Sequence, residues 1–191
     1  MAKSICVNMI EMNFPLFKSF KVSRLFTSFL NRKFDEYKKD HESYNVEKNT
    51  FDESRGYQSK NLLTWDNKQF KNFTDRKLKR LISSHLNVRQ SQISYHWVHF
   101  LDYETGGSMR YHNHVHNEDF VLFIYLKNCK TGNTVFHLND YNSEYAYRTQ
   151  FEIQPQRGRS AIFSSYLMHR GDHTNENKRI FVVGIKVDLR K

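Results

Sequence analysis

The sequence predicts a mainly β fold with flanking helices, in which an antiparallel jelly roll is packed by N-terminal α-helices. From about residue 92 onwards, short runs of alternating or densely apolar residues are separated by turn sequences such as KTGN, PQRGR and GDHTNENK. The preceding residues instead space their apolar side chains three and four apart, which is typical of amphipathic helices. The run RIFVVGIKV is apolar on both alternating faces, so it needs cover on both sides.

Two helices are expected before the strands. The first spans residues 20–41 and the second lies near residues 67–86. We expect both to cover the outer face of the sheet and to leave its inner face to line a pocket. The 191 residues then form a single domain, with a helical part of about residues 1–90 and a jelly-roll core of about residues 91–191.

Six strands are expected in the second half of the chain. They correspond to the segments ISYHWVHFLDYE, FVLFIYLKN, NTVFHL, FEIQP, SAIFSS and RIFVVGIKV. Short strands joined by hairpin-type turns favour an antiparallel barrel or sandwich of the jelly-roll kind. The loops 42–62, 102–110 and 138–150 would then shape the pocket.

The composition excludes several classes of protein. No apolar run approaches the roughly 18 residues that span a bilayer, and the N-terminus lacks the apolar stretch of a signal peptide. A cytoplasmic location and no membrane contact are therefore expected. Cys6 and Cys129 lie far apart without a CxxC motif, which argues against a disulfide framework and a thiolate zinc site.

The net charge of +10 is unevenly distributed. Residues 1–100 carry 18 Lys and Arg against 10 Asp and Glu, whereas the remaining residues are almost balanced. Two interpretations stay open: a solvated helical surface, or a surface that attracts a polyanion such as nucleic acid. The chain has no recognised nucleic-acid motif.

Three histidines in the segment RYHNHVHNED are the strongest sign of chemistry. His112, His114 and His116 are two residues apart, so on a strand all three would face the same side. Such a row indicates either a metal site or a polar surface strip. A distant histidine, His169, follows the strand SAIFSS, and Arg179 opens the last strand ten residues later. If these two strands are antiparallel neighbours, His169 and Arg179 could lie in the same interior.

This ordered set resembles the iron(II)- and 2-oxoglutarate-dependent oxygenases, in particular a prolyl-hydroxylase-like branch with His-x-His at the first position. The family pattern continues with a distal His and an Arg or Lys about ten residues later. The resemblance covers residues 50–190 and implies a double-stranded β-helix, the cupin-like form of the jelly roll. Further matching segments are GYQS at Gly56–Ser59, the Trp97 strand, the pair Gly106–Gly107 and GRSAIFSS.

The resemblance also implies a site. Fe(II) would be bound by His114, His116 and His169, with no catalytic residue beyond the metal centre. The far carboxylate of 2-oxoglutarate would be bound by Arg179, since a guanidinium forms a two-pronged pair with a carboxylate. Tyr111 would be a secondary contact to the same co-substrate.

The ligand set departs from the usual pattern, because His116 stands where a carboxylate is expected. Three solutions stay open: three histidines, Glu118 as the carboxylate ligand, or His112 and His114 as the proximal pair. The leading function is a dioxygenase, and specifically a hydroxylase, that uses dioxygen and 2-oxoglutarate on an unidentified protein, nucleic-acid or metabolite substrate. The alternatives are a cupin-like metal enzyme without 2-oxoglutarate and a basic nucleic-acid-binding module.

Overall fold

Two antiparallel sheets face each other and form the body of the molecule. A computed structural model describes residues 17–42, 56–115, 118–138 and 149–190 of the chain. Within these ranges a six-stranded sheet and a four-stranded sheet enclose an inner core, and helices pack on the outer side of the larger sheet. The predicted fold class, a jelly roll with flanking helices, is confirmed.

The described residues form ten strands and several helical segments. In chain order they are β1 (Phe17–Lys21), α1 (Arg24–Asp40), β2 (Gly56–Gln58), α2 (Lys68–Asn72), a π-helical stretch (Phe73–Leu78), α3 (Lys79–Leu86), β3 (Ile93–Tyr103), β4 (Met109–His112), β5 (Phe120–Tyr125), β6 (Thr134–Leu138), β7 (Thr149–Ile153), β8 (Arg159–Ser164), β9 (Met168–Gly171) and β10 (Lys178–Val187). Two short 3-10 helices, Leu62–Thr64 and Gln90–Gln92, precede α2 and β3.

Polar caps fix the ends of the predicted helices. The Ser23 hydroxyl accepts a hydrogen bond from the Phe26 backbone N–H at the start of α1, and the Asn67 side chain caps α2 in the same way. Asn87 ends α3 in the left-handed conformation, with φ of 56°. Both helical regions lie where the sequence predicts them, except that Phe20 and Lys21, at the start of the predicted first helix, belong to the edge strand β1.

The chain alternates between the two sheets, as a jelly roll requires. The larger sheet has the order β1-β8-β5-β10-β3-β2, and the smaller sheet has the order β4-β9-β6-β7. The outermost strands β1 and β2 come from the first 90 residues, so that part of the chain contributes strands as well as helices. No helix in the described ranges is long and apolar enough to span a membrane.

The last strand, β10, separates two apolar cores. Phe181, Val183 and Ile185 pack with α1, α2 and α3 on the outer side, whereas Ile180 and Val182 face the inner core between the sheets. This arrangement explains why RIFVVGIKV is apolar on both faces. Because side chains alternate along a strand, neighbouring residues of β10 lie in different compartments.

Candidate metal centre and co-substrate pocket

Three imidazoles meet at the mouth of the inner core. His112 on β4 is paired in register with His169 on β9, and His114 lies two residues beyond His112. One ring nitrogen from each residue lies within 4.8 Å of the others, and this group can hold a metal ion. Two nitrogens on one ion are separated by at most about 4.2 Å, twice a metal–nitrogen distance. Since 4.8 Å exceeds this limit only slightly, small side-chain rotations would bring all three nitrogens within bonding distance of one ion.

Backbone carbonyls orient two of these rings. Nδ1 of His112 lies 2.9 Å from the carbonyl oxygen of Arg110, and Nδ1 of His169 lies 3.0 Å from that of Leu167. A carbonyl can only accept, so each Nδ1 carries the proton and each Nε2 carries the lone pair. Hydrogen bonds of this kind orient metal-binding histidines in proteins.

Burial keeps the three imidazoles neutral. Desolvation and, to a smaller extent, the neighbouring His112 lower the pKa of His114 to about 4. Desolvation also lowers the pKa of His112 and brings that of His169 well below the ordinary value of 6.5. A neutral imidazole has the lone pair that a metal needs, so the cluster is in the metal-binding form at neutral pH.

Of the three ligand alternatives, the described residues bring together His112, His114 and His169. His116, a predicted ligand, lies outside the described residues. Glu118 does not join the cluster, because its carboxylate is bound elsewhere: Oε1 accepts from the indole Nε1–H of Trp97 and lies 2.5 Å from Nδ1 of His96. Among the described residues, His112 and His114 are the pair that lies beside His169, and the predicted role of His116 stays a prediction.

Glu118 holds an indole against the metal-binding histidines. The Trp97 ring lies 5.4 Å from the His114 ring, centroid to centroid, and both line the cavity. Gly184 on β10 makes room for this arrangement, since a Cβ there would lie 2.5 Å from the Trp97 ring and 2.7 Å from Cγ of Glu118.

A cavity of about 540 Å³ extends from the histidines into the inner core. Its wall is mainly apolar and includes Leu101, Phe123, Phe163, Ile180 and Val182. This volume lies within the range of small-molecule sites, which are typically lined by apolar side chains with a few placed polar groups.

Lys178 supplies a buried cation inside this cavity. Its side chain is only 1% exposed, donates from Nζ to the carbonyl oxygen of Gly132 at 2.8 Å, and lies 4.6 Å from the ring centroid of Tyr103. Desolvation lowers the pKa of Lys178 to about 8. The ammonium therefore still carries its proton at neutral pH and is available to an anion.

Arg179, the predicted co-substrate anchor, points to the opposite face of the sheet. Its guanidinium is bound to Asp35 and Asn31 of α1 and to Asp102 of β3, and it lies 3.9 Å from the ring centroid of Phe34. Alternation along β10 explains the correction, because Lys178 and Arg179 are neighbours and only one of them can face the cavity.

Tyr111, the other predicted co-substrate contact, also lies outside this cavity. Its hydroxyl is bound to Nε2 of His137, and the guanidinium of Arg170 lies 4.7 Å from its ring centroid. The pairing register of β4 shifts between Met109 and His112, so the Tyr111 side chain does not follow the simple alternation of a regular strand. Met109 and His112 line the cavity instead.

Neither Lys178 nor Tyr103 was predicted from the sequence as a site residue. Lys178 could have been proposed from the sequence, because the family pattern allows Arg or Lys at this place and Lys178 lies nine residues after His169. Choosing between Lys178 and Arg179 requires the strand register, which pairs Lys178 with Tyr103 and Arg179 with Asp102. Tyr103 carries no signal in the sequence other than its place on a strand.

Comparison with solved structures identifies the fold. A prolyl-4-hydroxylase from Pseudomonas putida superposes with a TM-score of 0.67 over 91% of this chain and 93% of its own, at 12% identity. A viral collagen prolyl hydroxylase from Paramecium Bursaria Chlorella virus-1, in complex with 2-oxoglutarate, gives 0.60 over 93% and 99%, at 15% identity. A non-heme alpha-ketoglutarate-dependent epimerase of nogalamycin biosynthesis gives 0.71 over 90% and 78%, at 8% identity.

These likenesses establish that the chain has the double-stranded β-helix of the 2-oxoglutarate-dependent oxygenases. No protein-family model matches the chain, and no curated protein is similar to it in sequence. The donor set fits iron, because imidazole nitrogen is a suitable ligand for iron and the three rings converge from β4, the loop directly after it, and β9.

Proposed function

We propose that this protein is an iron(II)- and 2-oxoglutarate-dependent dioxygenase. One observation carries the proposal: a cluster of three neutral histidines and a buried lysine line the same apolar cavity, inside the fold used by such enzymes. His112, His114 and His169 would hold the iron. Lys178 would bind the far carboxylate of 2-oxoglutarate, the role that the family pattern gives to an Arg or Lys.

The spacing of these groups suits a five-carbon dicarboxylate. A Cβ built on Gly171 would lie 3.5 Å from Nζ of Lys178, and Gly171 follows His169 by two residues on β9. Two residues of a strand span about 7 Å. The keto-acid end of 2-oxoglutarate can therefore reach the histidine cluster while its other carboxylate meets the ammonium of Lys178.

When bound, iron and 2-oxoglutarate would supply the oxidation of a C–H bond by dioxygen, with conversion of 2-oxoglutarate to succinate and carbon dioxide. The chain's own contribution is to bind and orient the substrate and 2-oxoglutarate and to exclude water from the site. Phe163 and Val182 form part of the apolar wall near the histidines, and Trp97 covers His114. Hydroxylation of the substrate is the outcome that we propose.

The substrate itself stays open between a protein side chain, a nucleic-acid base and a metabolite. A cytoplasmic location and a nucleic-acid partner for the basic N-terminal half also stay predictions. The solved prolyl hydroxylase from Trichoplax adhaerens is in complex with a peptide fragment, which supports including peptides in a substrate screen.

Calorimetric binding tests the metal and co-substrate roles separately. We expect the protein to bind Mn(II), a redox-inert substitute for Fe(II), and the loaded protein to bind 2-oxoglutarate. His169→Ala should lose at least tenfold in Mn(II) affinity, because the site keeps only two ligands. His173→Ala is the matched control, since this exposed histidine lies outside the cluster. Unchanged Mn(II) affinity in His169→Ala would contradict the proposal.

The identity of the proximal pair is settled by two further variants. If His112 is a ligand, His112→Ala should weaken Mn(II) binding as strongly as His169→Ala does, whereas His116→Ala should leave it nearly unchanged. The reverse result would restore the ligand set that the family resemblance implies.

A further inference from the structure

A histidine outside the metal-binding cluster, His99, faces the same cavity. Alternate residues of β3 line this cavity: Trp97, His99, Leu101 and Tyr103. Val98 and Phe100, which stand between them, pack in the outer core instead. Because the strand alternates regularly here, the inward direction of the His99 side chain follows from the register of β3. His99 is not among the three clustered imidazoles.

The surroundings of His99 determine which ring nitrogen carries the proton. Nδ1 lies 2.9 Å from the carbonyl oxygen of Ser59. A carbonyl can only accept, so Nδ1 carries the proton and Nε2 keeps the lone pair. Desolvation lowers the pKa of His99, and the carbonyls of Ser59 and Lys60 offset this only in part. The half-buried ring is therefore neutral at neutral pH and offers an acceptor at Nε2.

Two donors near His99 are already used within the protein. The Asn61 side chain donates from Nδ2 to a backbone carbonyl of β3 at 3.2 Å, and the Trp97 indole N–H is bound to Glu118. Among the residues that the structure describes, no hydrogen bond is donated to Nε2 of His99. A ligand that displaces water from this part of the cavity must supply a donor, because an unpaired acceptor away from water costs free energy.

The position of His99 separates it from the co-substrate anchor. Lys178 lies against Tyr103, which is four residues from His99 on β3, or about 13 Å along the strand. In the other direction, the Trp97 ring lies 5.6 Å from the His99 ring and 5.4 Å from the His114 ring, centroid to centroid. A ligand bound to His99 would therefore lie near the metal centre and away from Lys178.

We infer that the primary substrate carries a hydrogen-bond donor, a hydroxyl or an amide N–H, and that Nε2 of His99 accepts this hydrogen bond and positions the substrate beside the metal centre. The inference rests on the proposed function, because it assigns Lys178 to 2-oxoglutarate. It makes His99 a specificity-determining residue, since a substrate without a donor leaves the acceptor unpaired. The rest of the substrate would lie against the apolar wall that includes Phe163 and Val182.

Two pairs of probes that differ in one donor test the inference. The first pair is 3-phenylpropanol and its methyl ether, and the second is N-methylbenzamide and N,N-dimethylbenzamide. Each probe is titrated into protein loaded with Mn(II) and saturating 2-oxoglutarate, and relaxation of the probe's protons by the paramagnetic Mn(II) reports binding in the cavity. We expect a preference of about fivefold for the donor in at least one pair, as one neutral hydrogen bond predicts. The pair with the larger preference shows whether the site selects a hydroxyl or an amide.

Substitutions assign the preference to Nε2 of His99. His99→Asn should abolish it, because the shorter side chain can still donate to Ser59 but has no acceptor at the position of Nε2. His99→Gln should keep part of it, because its amide oxygen can reach that position. His85→Asn is the matched control, since this half-buried histidine of α3 stacks on Phe20 and does not line the cavity. All three variants should bind Mn(II) and 2-oxoglutarate as the wild type does.

The outcomes separate this inference from the proposed function. Equal affinities within both pairs, no relaxation of any probe in protein that binds 2-oxoglutarate, an unchanged preference in His99→Asn, or an equal loss in His85→Asn would each overturn it. Failure of the wild type to bind Mn(II) or 2-oxoglutarate would instead count against the proposed function itself.

Discussion

Lys178 and Arg179 are adjacent cations on β10 with different surroundings. The Lys178 ammonium lies in the cavity against Gly132 and Tyr103, whereas the Arg179 guanidinium joins α1 to the sheet through Asp35 and Asp102. A one-residue change of register would exchange these roles. At the scale of single residues, the site therefore depends on which side chain faces inward.

The lowered pKa of Lys178 predicts an alkaline limit for co-substrate binding. Only the ammonium form attracts the carboxylate, and burial lowers its pKa to about 8 from the ordinary 10.5. We expect 2-oxoglutarate affinity to be flat below about pH 8 and then to fall by up to tenfold per pH unit. Calorimetry on the Mn(II)-loaded protein measures it. Lys178→Arg should remove this fall and Lys178→Met should abolish binding, whereas an alkaline fall that persists in Lys178→Arg would contradict the assignment.

The histidine cluster predicts a loss of stability in acid. In the folded state the pKa of His114 is about 4, below the ordinary 6.5, so the unfolded chain binds protons first as pH falls. The metal-free protein should therefore be most stable above pH 6.5 and should lose on the order of 2 kcal/mol through His114 alone by pH 5. Urea unfolding at several pH values measures this slope. His114→Gln should flatten it, and an equally steep slope in that variant would refute the assignment.

At the scale of elements, the close approach of β3 and β10 shapes the metal centre. Gly184 is paired with Trp97, and the two strands shift register directly after it. The missing side chain at Gly184 lets the indole lie over β10, where Glu118 accepts its N–H. The irregularity thus positions an aromatic ring beside His114.

Gly184→Ala should disturb this arrangement. The new Cβ would lie 2.5 Å from the Trp97 ring, so the ring must move and lose its bond to Glu118. Overpacking of this kind costs about 1–3 kcal/mol of the free energy of unfolding, and we expect weaker Mn(II) binding as well. Urea unfolding and calorimetry check both effects. Adding Trp97→Leu should restore part of the stability; no recovery would mean that the clash lies elsewhere.

At the scale of the whole molecule, the helices and the jelly roll form one unit. The outer core joins α1, α2 and α3 to the larger sheet, and an ionic network around Arg179 lies between them. Lys38 of α1 also pairs with Asp102, at 3.3 Å. The N-terminal half therefore supports the sheet that carries the cavity.

Arg179→Met should destabilise the protein without removing co-substrate binding. Among the described residues, the change leaves Lys38 as the one cation bound to the buried Asp102 carboxylate, which we expect to cost on the order of 3 kcal/mol. Thermal unfolding measures the loss, and calorimetry on the Mn(II)-loaded protein should give a 2-oxoglutarate affinity close to that of the wild type. A selective loss of 2-oxoglutarate affinity would instead return the anchor role to Arg179.

Hydrophobic periodicity was sufficient to predict the long elements. The two helical regions and the six strand segments between residues 92 and 187 follow from it, because each has enough residues to show a period. The strands β2, β4 and β9 have only three or four residues, and such short segments carry no reliable pattern, while Phe20 of β1 fits the spacing of the helix that follows it. The positions of these short strands are set by hydrogen bonding to neighbouring strands in the sheets.

The sequence by itself determined the fold class, the presence of a histidine-rich site and the need for a cation near His169. Local spacing encodes the first two, because periodicity and residue type act over a few neighbouring positions, whereas the cation is what the family resemblance implies. Only the tertiary structure decided that His112 and His114 meet His169, that Glu118 binds Trp97, and that Lys178 rather than Arg179 faces the cavity. Those facts depend on strand register and bulges, which are fixed by contacts between residues far apart in the chain.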